Sequence, residues 1–136
     1  MIISSLLYKN TKYSWDLFYK TETPSITTTT DRFSTSISNS YYMKNCFFNN
    51  LSSTTYGGAI YISSSSYDNK VLIEETTISE CFSLNRGGGI YFTSNGQIVL
   101  YKICGNKCYN NGGDEQYGQF SYTEMSSASN NLIPHN

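Results

Sequence analysis

The chain has 136 residues, room for one domain at most or for one piece of a longer array. Lys and Arg (9) almost cancel Asp and Glu (10), so there is neither the basic footprint of a nucleic-acid binder nor an acidic tail. Charged residues are only 14% of the chain, against 38% hydrophobic and 15% aromatic. The polar remainder is mostly Ser, Thr and Asn. The only alanines are Ala59 and Ala128, and tyrosines number 13. That balance disfavours helices and favours strands.

Residues 1–30 read as an N-terminal cap or partial coil. The apolar run Ile2 to Leu7 is interrupted by Ser4 and Ser5 and is too short for a signal sequence. No stretch approaches the ~18 apolar residues of a membrane-spanning helix. "YSWDLFYK" (Tyr13 to Lys20) alternates weakly and suits a strand or a cap. Thr21 to Asp31 is a Thr-rich connector in which Pro24 argues against a central strand. Over 31–124 the pattern changes to short alternating runs: "YYMKNCFF", "GGAIYIS", "KVLIEETTISEC", "GGGIYFT" and "GQIVLYKIC". Turn residues separate them, as at Tyr67-Asp68-Asn69 and Ser94-Asn95-Gly96. Residues 125–136 read as a flexible polar tail.

The runs repeat. Gly58 and Gly88, Ile60 and Ile90, Tyr61 and Tyr91, and Ile62 and Phe92 are each 30 residues apart. Another 30 lands on Gly118, Phe120 and Tyr122, a weaker copy. A Cys-aromatic pair recurs at Cys46-Phe47, Cys81-Phe82 and Cys108-Tyr109, with Asn50 and Asn85 three after their Phe. A fixed period of this length indicates a stacked solenoid. The expectation is an all-β fold, a short right-handed single-stranded parallel β-helix of about three to four coils. Equivalent residues would stack at the ~4.8 Å strand spacing. Ile60, Ile90 and Phe120 would form one inner ladder, and Ile62, Phe92 and Tyr122 the next. Tyr61 and Tyr91 would stack outside. Gly57-Gly58 and Gly87-Gly88 would turn corners, and Asn50 and Asn85 would serve as corner residues that tolerate left-handed backbone. A β-sandwich also has short strands, but it does not usually repeat one motif in register.

Phe47-Phe48-Asn49-Asn50 with Gly57-Gly58-Ala59-Ile60, and Phe82-Ser83-Leu84-Asn85 with Gly87-Gly88-Gly89-Ile90, resemble the paired repeat motifs of the chlamydial polymorphic outer membrane proteins. The Cys before each Phe, and the segment Ile103 to Thr123, resemble more closely the trichomonad surface-protein family with such repeats. The resemblance covers Tyr41 to Thr123. It implies a right-handed parallel β-helix with a non-enzymatic, adhesin-like role at the cell surface or outside the cell. The partner it implies is a glycan or protein on a cell surface, with stacking on further coils of a longer protein as a second possibility. Members of these families are long and carry an export signal or anchor. Neither is visible here, which fits a truncated copy or fragment.

The chemistry-bearing residues carry bland readings beside the sharp ones. Zinc would want paired ligands, yet only Cys104-x-x-x-Cys108 is close and the sole His, His135, lies in the tail. Cys46 and Cys81 read as stacked core thiols that a disulfide could also join. Cys104 with Cys108 is the better disulfide candidate, because Gly105-Asn106-Lys107 can turn between them. Parallel β-helices also host polysaccharide lyases and glycoside hydrolases, which need clustered carboxylates. Glu74-Glu75 sits in a strand-like run, so its two side chains should point to opposite faces. Arg32 and Arg86 are the only arginines. No catalytic, cofactor or metal set converges, and no cofactor is expected. The alternative function is a remnant of such a carbohydrate-active enzyme. Asn50-Leu51-Ser52 is a glycosylation sequon that competes with the corner role of Asn50.

Overall fold

The computed structural model describes residues 18–20, 23–67, 69–112, 119–125 and 133–135, with Met125 and 133–135 described by backbone alone. Residues 1–17, 21–22, Asp68, the stretch 113–118 that holds Gly118, 126–132 and Asn136 lie outside the described residues.

The chain is all-β, and every strand pairing among the described residues is parallel. It opens with β1 (Ser25–Thr27) and β2 (Phe33–Thr35). Three quartets follow. The first is β3 (Tyr41–Lys44), β4 (Phe47–Asn49), β5 (Ser52–Ser53) and β6 (Ile60–Ser64). The second is β7 (Lys70–Glu74), β8 (Thr77–Ser79), β9 (Phe82–Ser83) and β10 (Ile90–Ser94). The third is β11 (Gln97–Tyr101), β12 (Cys104–Asn106), β13 (Tyr109–Asn110) and β14 (Ser121–Met125). Last comes β15 (Ile133–His135). Each member of a quartet joins a different sheet. The first sheet runs β1-β3-β7-β11-β15, the second β2-β6-β10-β14, the third β4-β8-β12 and the fourth β5-β9-β13. The chain therefore visits the four sheets in the same cyclic order each time, the arrangement of a parallel β-solenoid.

Three kinds of corner make this possible. Asn45, Glu75 and Lys102 turn the chain from the first sheet into the third, all with φ between 47° and 52°. Asn50, Glu80 and Lys107 turn it from the third into the fourth, with φ of 54°, 54° and 50°. Corner backbones bond to the neighbouring quartet: Asn50 N–H donates to Ser79 O at 3.0 Å and Glu80 N–H to Asn106 O at 2.8 Å. Gly57 and Gly87, at φ 56° and 60°, form the third corner. Next to it, a Cβ on Gly58 would lie 2.3 Å from Gly88 O, so only glycine lets these backbones approach. Asn50 stands at a left-handed corner. Asn85 does not: it is exposed, and its N–H donates to Thr55 O.

Inward rows fill the space between the sheets. Ile60 pairs with Ile90 and Ile62 with Phe92, all fully buried. Met43 pairs with Ile73 and Phe48 with Ile78, also fully buried. Each such side chain is worth roughly 1.5–3 kcal/mol relative to exposure.

The third copy departs from the expected register by one residue. Ser121 stands opposite Ile90, Tyr122 opposite Tyr91 and Thr123 opposite Phe92. Tyr122 therefore joins the outer tyrosine row, not the inner ladder, and Phe120 is not a rung of the Ile60–Ile90 row. The cause is connection length. Ser83 and Ile90 are seven residues apart, whereas their counterparts Asn110 and Ser121 are eleven apart. The Asn95-Gly96 turn is three residues shorter than the 65–69 connection before β7, which leaves a net shift of one. Phe120 fills the core in another way. Gly105 occupies the row of Phe48 and Ile78, and a Cβ there would meet the Phe120 ring at 2.5 Å. The ring takes the room that the missing side chain leaves.

The cysteines also fall differently. Cys46 lies opposite Thr76, whose Oγ1 accepts from Cys46 N–H at 3.3 Å, so Cys46 and Cys81 do not stack. Cys81 instead lies opposite Leu51 on one side and Cys108 on the other. All four cysteines are free thiols. Cys104 and Cys108, the disulfide candidate, are not joined here. Cys104 faces solvent from β12, while Cys108 lies past the Lys107 corner and its Sγ donates to Ile78 O at 3.4 Å.

Residues 18–20 cover the outer side of the first sheet. Tyr19 packs with Leu72 and Val99, flanked by Phe18, Tyr42 and Tyr101. Its hydroxyl donates to Tyr41 O at 2.7 Å. At the other end, Ile133–His135 pairs with β11 as a strand, where the sequence reads as a free tail. There it supplies main-chain partners to the β11 edge.

Candidate functional site

The outer side of the second sheet differs from that of the first. Period-two alternation turns Ile60 and Ile62 inward and Tyr61 outward, and parallel pairing repeats this on each neighbour. The outward row is Ser34, Tyr61, Tyr91, Tyr122. Tyr61 and Tyr91 have ring centroids 5.4 Å apart and an interplanar angle of 7°. Tyr91 and Tyr122 are also 5.4 Å apart, at 11°. Tyr56, from the loop before the Gly57 corner, stacks on Tyr91 at 4.6 Å.

Both arginines serve this row. The Arg86 guanidinium lies 4.9 Å from the Tyr122 ring centroid, and its Nη1 donates to the Tyr122 hydroxyl at 3.0 Å. That hydroxyl donates to Glu124 at 3.1 Å. The Arg32 guanidinium lies 5.9 Å from the Tyr61 centroid. Its Nε donates to Gly57 O at 3.0 Å, and its Nη2 donates to Tyr56 O at 2.9 Å and to Ser53 Oγ at 3.2 Å. Partial burial lowers the Arg32 pKa and raises that of Tyr91. Burial and the bond to Glu124 raise that of Tyr122. These phenols therefore stay neutral and able to donate at any physiological pH.

Beside the tyrosines runs a hydroxyl row, with Thr93 donating to Ser63 at 3.1 Å. Among the described residues, three shallow cavities are lined by residues of this side. The largest, about 480 Å³, is lined by Tyr61, Arg32, Ser34 and the run Ser52–Thr55. A second, about 340 Å³, lies among Ser63–Ser65, Thr93–Asn95 and Glu124. The third, about 180 Å³, sits among Tyr56, Asn85, Arg86 and Gly112.

A second polar group lies at the corner of the first sheet. Glu74 and Glu75 do not diverge as a straight strand would dictate. Glu75 stands at φ 47°, and this left-handed turn brings both carboxylates to Lys44, at 3.7 Å and 3.8 Å. Lys102 approaches Glu75 at 3.2 Å, and the Tyr42 hydroxyl donates to the buried Glu74. Burial and that bond raise the Tyr42 pKa. The three cavities above do not touch this cluster.

Among the described residues no three His, Cys, Asp or Glu side chains group as metal ligands, and no helix is long and apolar enough to cross a membrane. Of the repeat residues, the structure brings Gly57, Gly58, Ile60 and Ile62 opposite Gly87, Gly88, Ile90 and Phe92. It does not bring Phe47 opposite Phe82, which faces Ser52 instead. Arg32 as a clamp and Tyr122 as an outer rung escaped the sequence reading. Tyr122 had a signal: it lies 31 residues after Tyr91, one more than the glycine spacing. No family model, no curated protein and no solved structure matches the chain.

Proposed function

We propose that the chain is a non-enzymatic interaction module, adhesin-like in use, built on a right-handed parallel β-helix of about three to four coils. Right-handedness is supported by the strong bias of parallel crossover connections toward that hand. The cell surface is the setting that the motif resemblance suggests. The observation that carries the reading is the uncovered tyrosine row, with its two arginines and flanking Ser and Thr. Such a surface offers ring edges, neutral hydroxyl donors and little net charge, which suits a glycan or a polar protein surface. The test is binding of the labelled chain to an array of immobilised oligosaccharides and to intact cells. Saturable binding that falls at least tenfold in Tyr122→Ala, with the fold retained by circular dichroism, is expected. Binding indifferent to that change, or none at all, contradicts the reading.

The second reading, a carbohydrate-active enzyme, has one observation in its favour: Glu74 and Glu75 share Lys44 beside Tyr42. Against it, the Glu74 carboxylate is buried and already occupied by Lys44 and Tyr42, as in a structural ion-pair ladder. Release of reducing or unsaturated ends from polysaccharides, lost in Glu75→Gln, would favour the enzyme.

A further inference from the structure

We infer that the cavity beside Tyr61 is a subsite for one neutral pyranose ring of a glycan. The inference rests on the interaction-module reading and gives it an address.

In the outward row of the second sheet, three successive positions are tyrosine and the fourth, Ser34, is not. Tyr91 lies between Tyr61 and Tyr122, so both of its faces are taken. Tyr61 has Tyr91 on one side and Ser34 on the other. The missing rung leaves space about one ring thick, and the largest of the three cavities opens there. A fourth phenol would fit the spacing of the ladder, but the walls are wrong for a phenol. They carry the hydroxyls of Ser34, Ser52, Ser53, Thr54 and Thr55. An aromatic occupant would desolvate those groups without offering partners. A pyranose presents an apolar C–H face to the electron-rich face of Tyr61 and hydroxyls around its rim.

Arg32 adds position rather than charge selection. Its Nε and Nη2 are held by Gly57 O, Tyr56 O and Ser53 Oγ. The guanidinium is fixed over the Tyr61 ring, 5.9 Å from its centroid, with Nη1 left to donate to a ring substituent. Two further carboxylate-binding donors in a fork are not offered, because Nη2 is already used. The cation still attracts a carboxylate through Nη1, so the neutral ring is chosen on the hydroxyl walls and the Tyr61 ring, with glucuronate as the competing outcome of the test. An occupant of about a dozen heavy atoms gives a dissociation constant on the order of millimolar for one ring.

The experiment is an NMR titration of the full chain with methyl β-glucopyranoside, methyl β-galactopyranoside and methyl α-mannopyranoside, alongside sodium glucuronate and p-cresol. At least one of the three neutral glycosides should shift the resonances of Tyr61, Ser34 and Ser52–Thr55. Ser34→Tyr supplies the absent phenol. It should fill the space beside Tyr61 and weaken sugar binding at least tenfold, in a chain that circular dichroism shows still folded. Tyr61→Ala should also abolish binding. No shift with any neutral glycoside, tighter binding of p-cresol or glucuronate, or undiminished sugar binding in folded Ser34→Tyr would each overturn the inference. Array binding by Ser34→Tyr at the native level would remove the subsite while leaving the module reading standing.

Discussion

The outer sides of the first and second sheets begin from the same alternation and end in opposite states. On the first sheet the outward row is Ile26, Tyr42, Leu72 and Val99, and Tyr19 lies over its Leu72 and Val99, so that Leu72 is as buried as any core residue while Ile26 at the end is 73% exposed. On the second sheet the outward row is tyrosine, partly open, and braced by Arg32 and Arg86. The apolar middle of that row is covered, by Tyr19. A row of stacked phenols buries its faces against itself and keeps its hydroxyls in water. One side of the molecule is thereby covered, and the other is left partly open.

The sharpest way to break this contrast is to cut one row at a time. Leu72→Ala should destabilise by about 3 kcal/mol, as a core truncation does, although its side chain points away from the main core. Tyr91→Ala removes stacking with Tyr56, Tyr61 and Tyr122 and should cost about 1–2 kcal/mol. Urea unfolding measures both. Equal losses would erase the distinction between a covered and an open face.

The thiols sharpen the contrast between inside and outside. Burial pushes Cys81 up to about 11 from the ordinary 9.0. Its protonated form is favoured in the folded state, so its contribution to stability is complete below pH 9 and is lost as pH rises toward 11. Cys81→Ser should flatten that alkaline decline in a thermal-melt series. Alkylation followed by mass spectrometry should find Cys104 modified first, Cys108 next, and Cys46 and Cys81 last.

The smallest effect concerns a corner. Lys107 holds a left-handed φ of 50° and an exposed ion pair with Glu80 at 3.5 Å. Lys107→Gly should relieve more backbone strain than the pair contributes, a gain of up to about 1 kcal/mol read from urea midpoints.

Much of the fold was legible where glycine marks a corner. Gly57-Gly58 and Gly87-Gly88 fixed the pairing of Ile60 with Ile90 and Tyr61 with Tyr91. The Cys-Phe pairs misled, because Cys46 and Cys81 are 35 residues apart while the glycines are 30 apart. One coil cannot hold both offsets, and that mismatch was readable. The corners at Glu75, Glu80, Lys102 and Lys107 were not, since charged residues rarely adopt left-handed backbone. The convergence of Glu74 and Glu75 depends on one of those corners. The Arg32 clamp was also hidden, because its partners are carbonyls and a serine more than twenty residues away.

The most direct test of the covered-versus-open contrast is tyrosine-selective chemical footprinting of the intact chain under native conditions. Tyr61, Tyr91 and Tyr122 should label readily, and Tyr19 and Tyr41, buried at 6% and 7% exposure, should be protected until the chain unfolds. Equal labelling of the two groups, or protection of the Tyr61 row with Tyr19 exposed, would contradict the account.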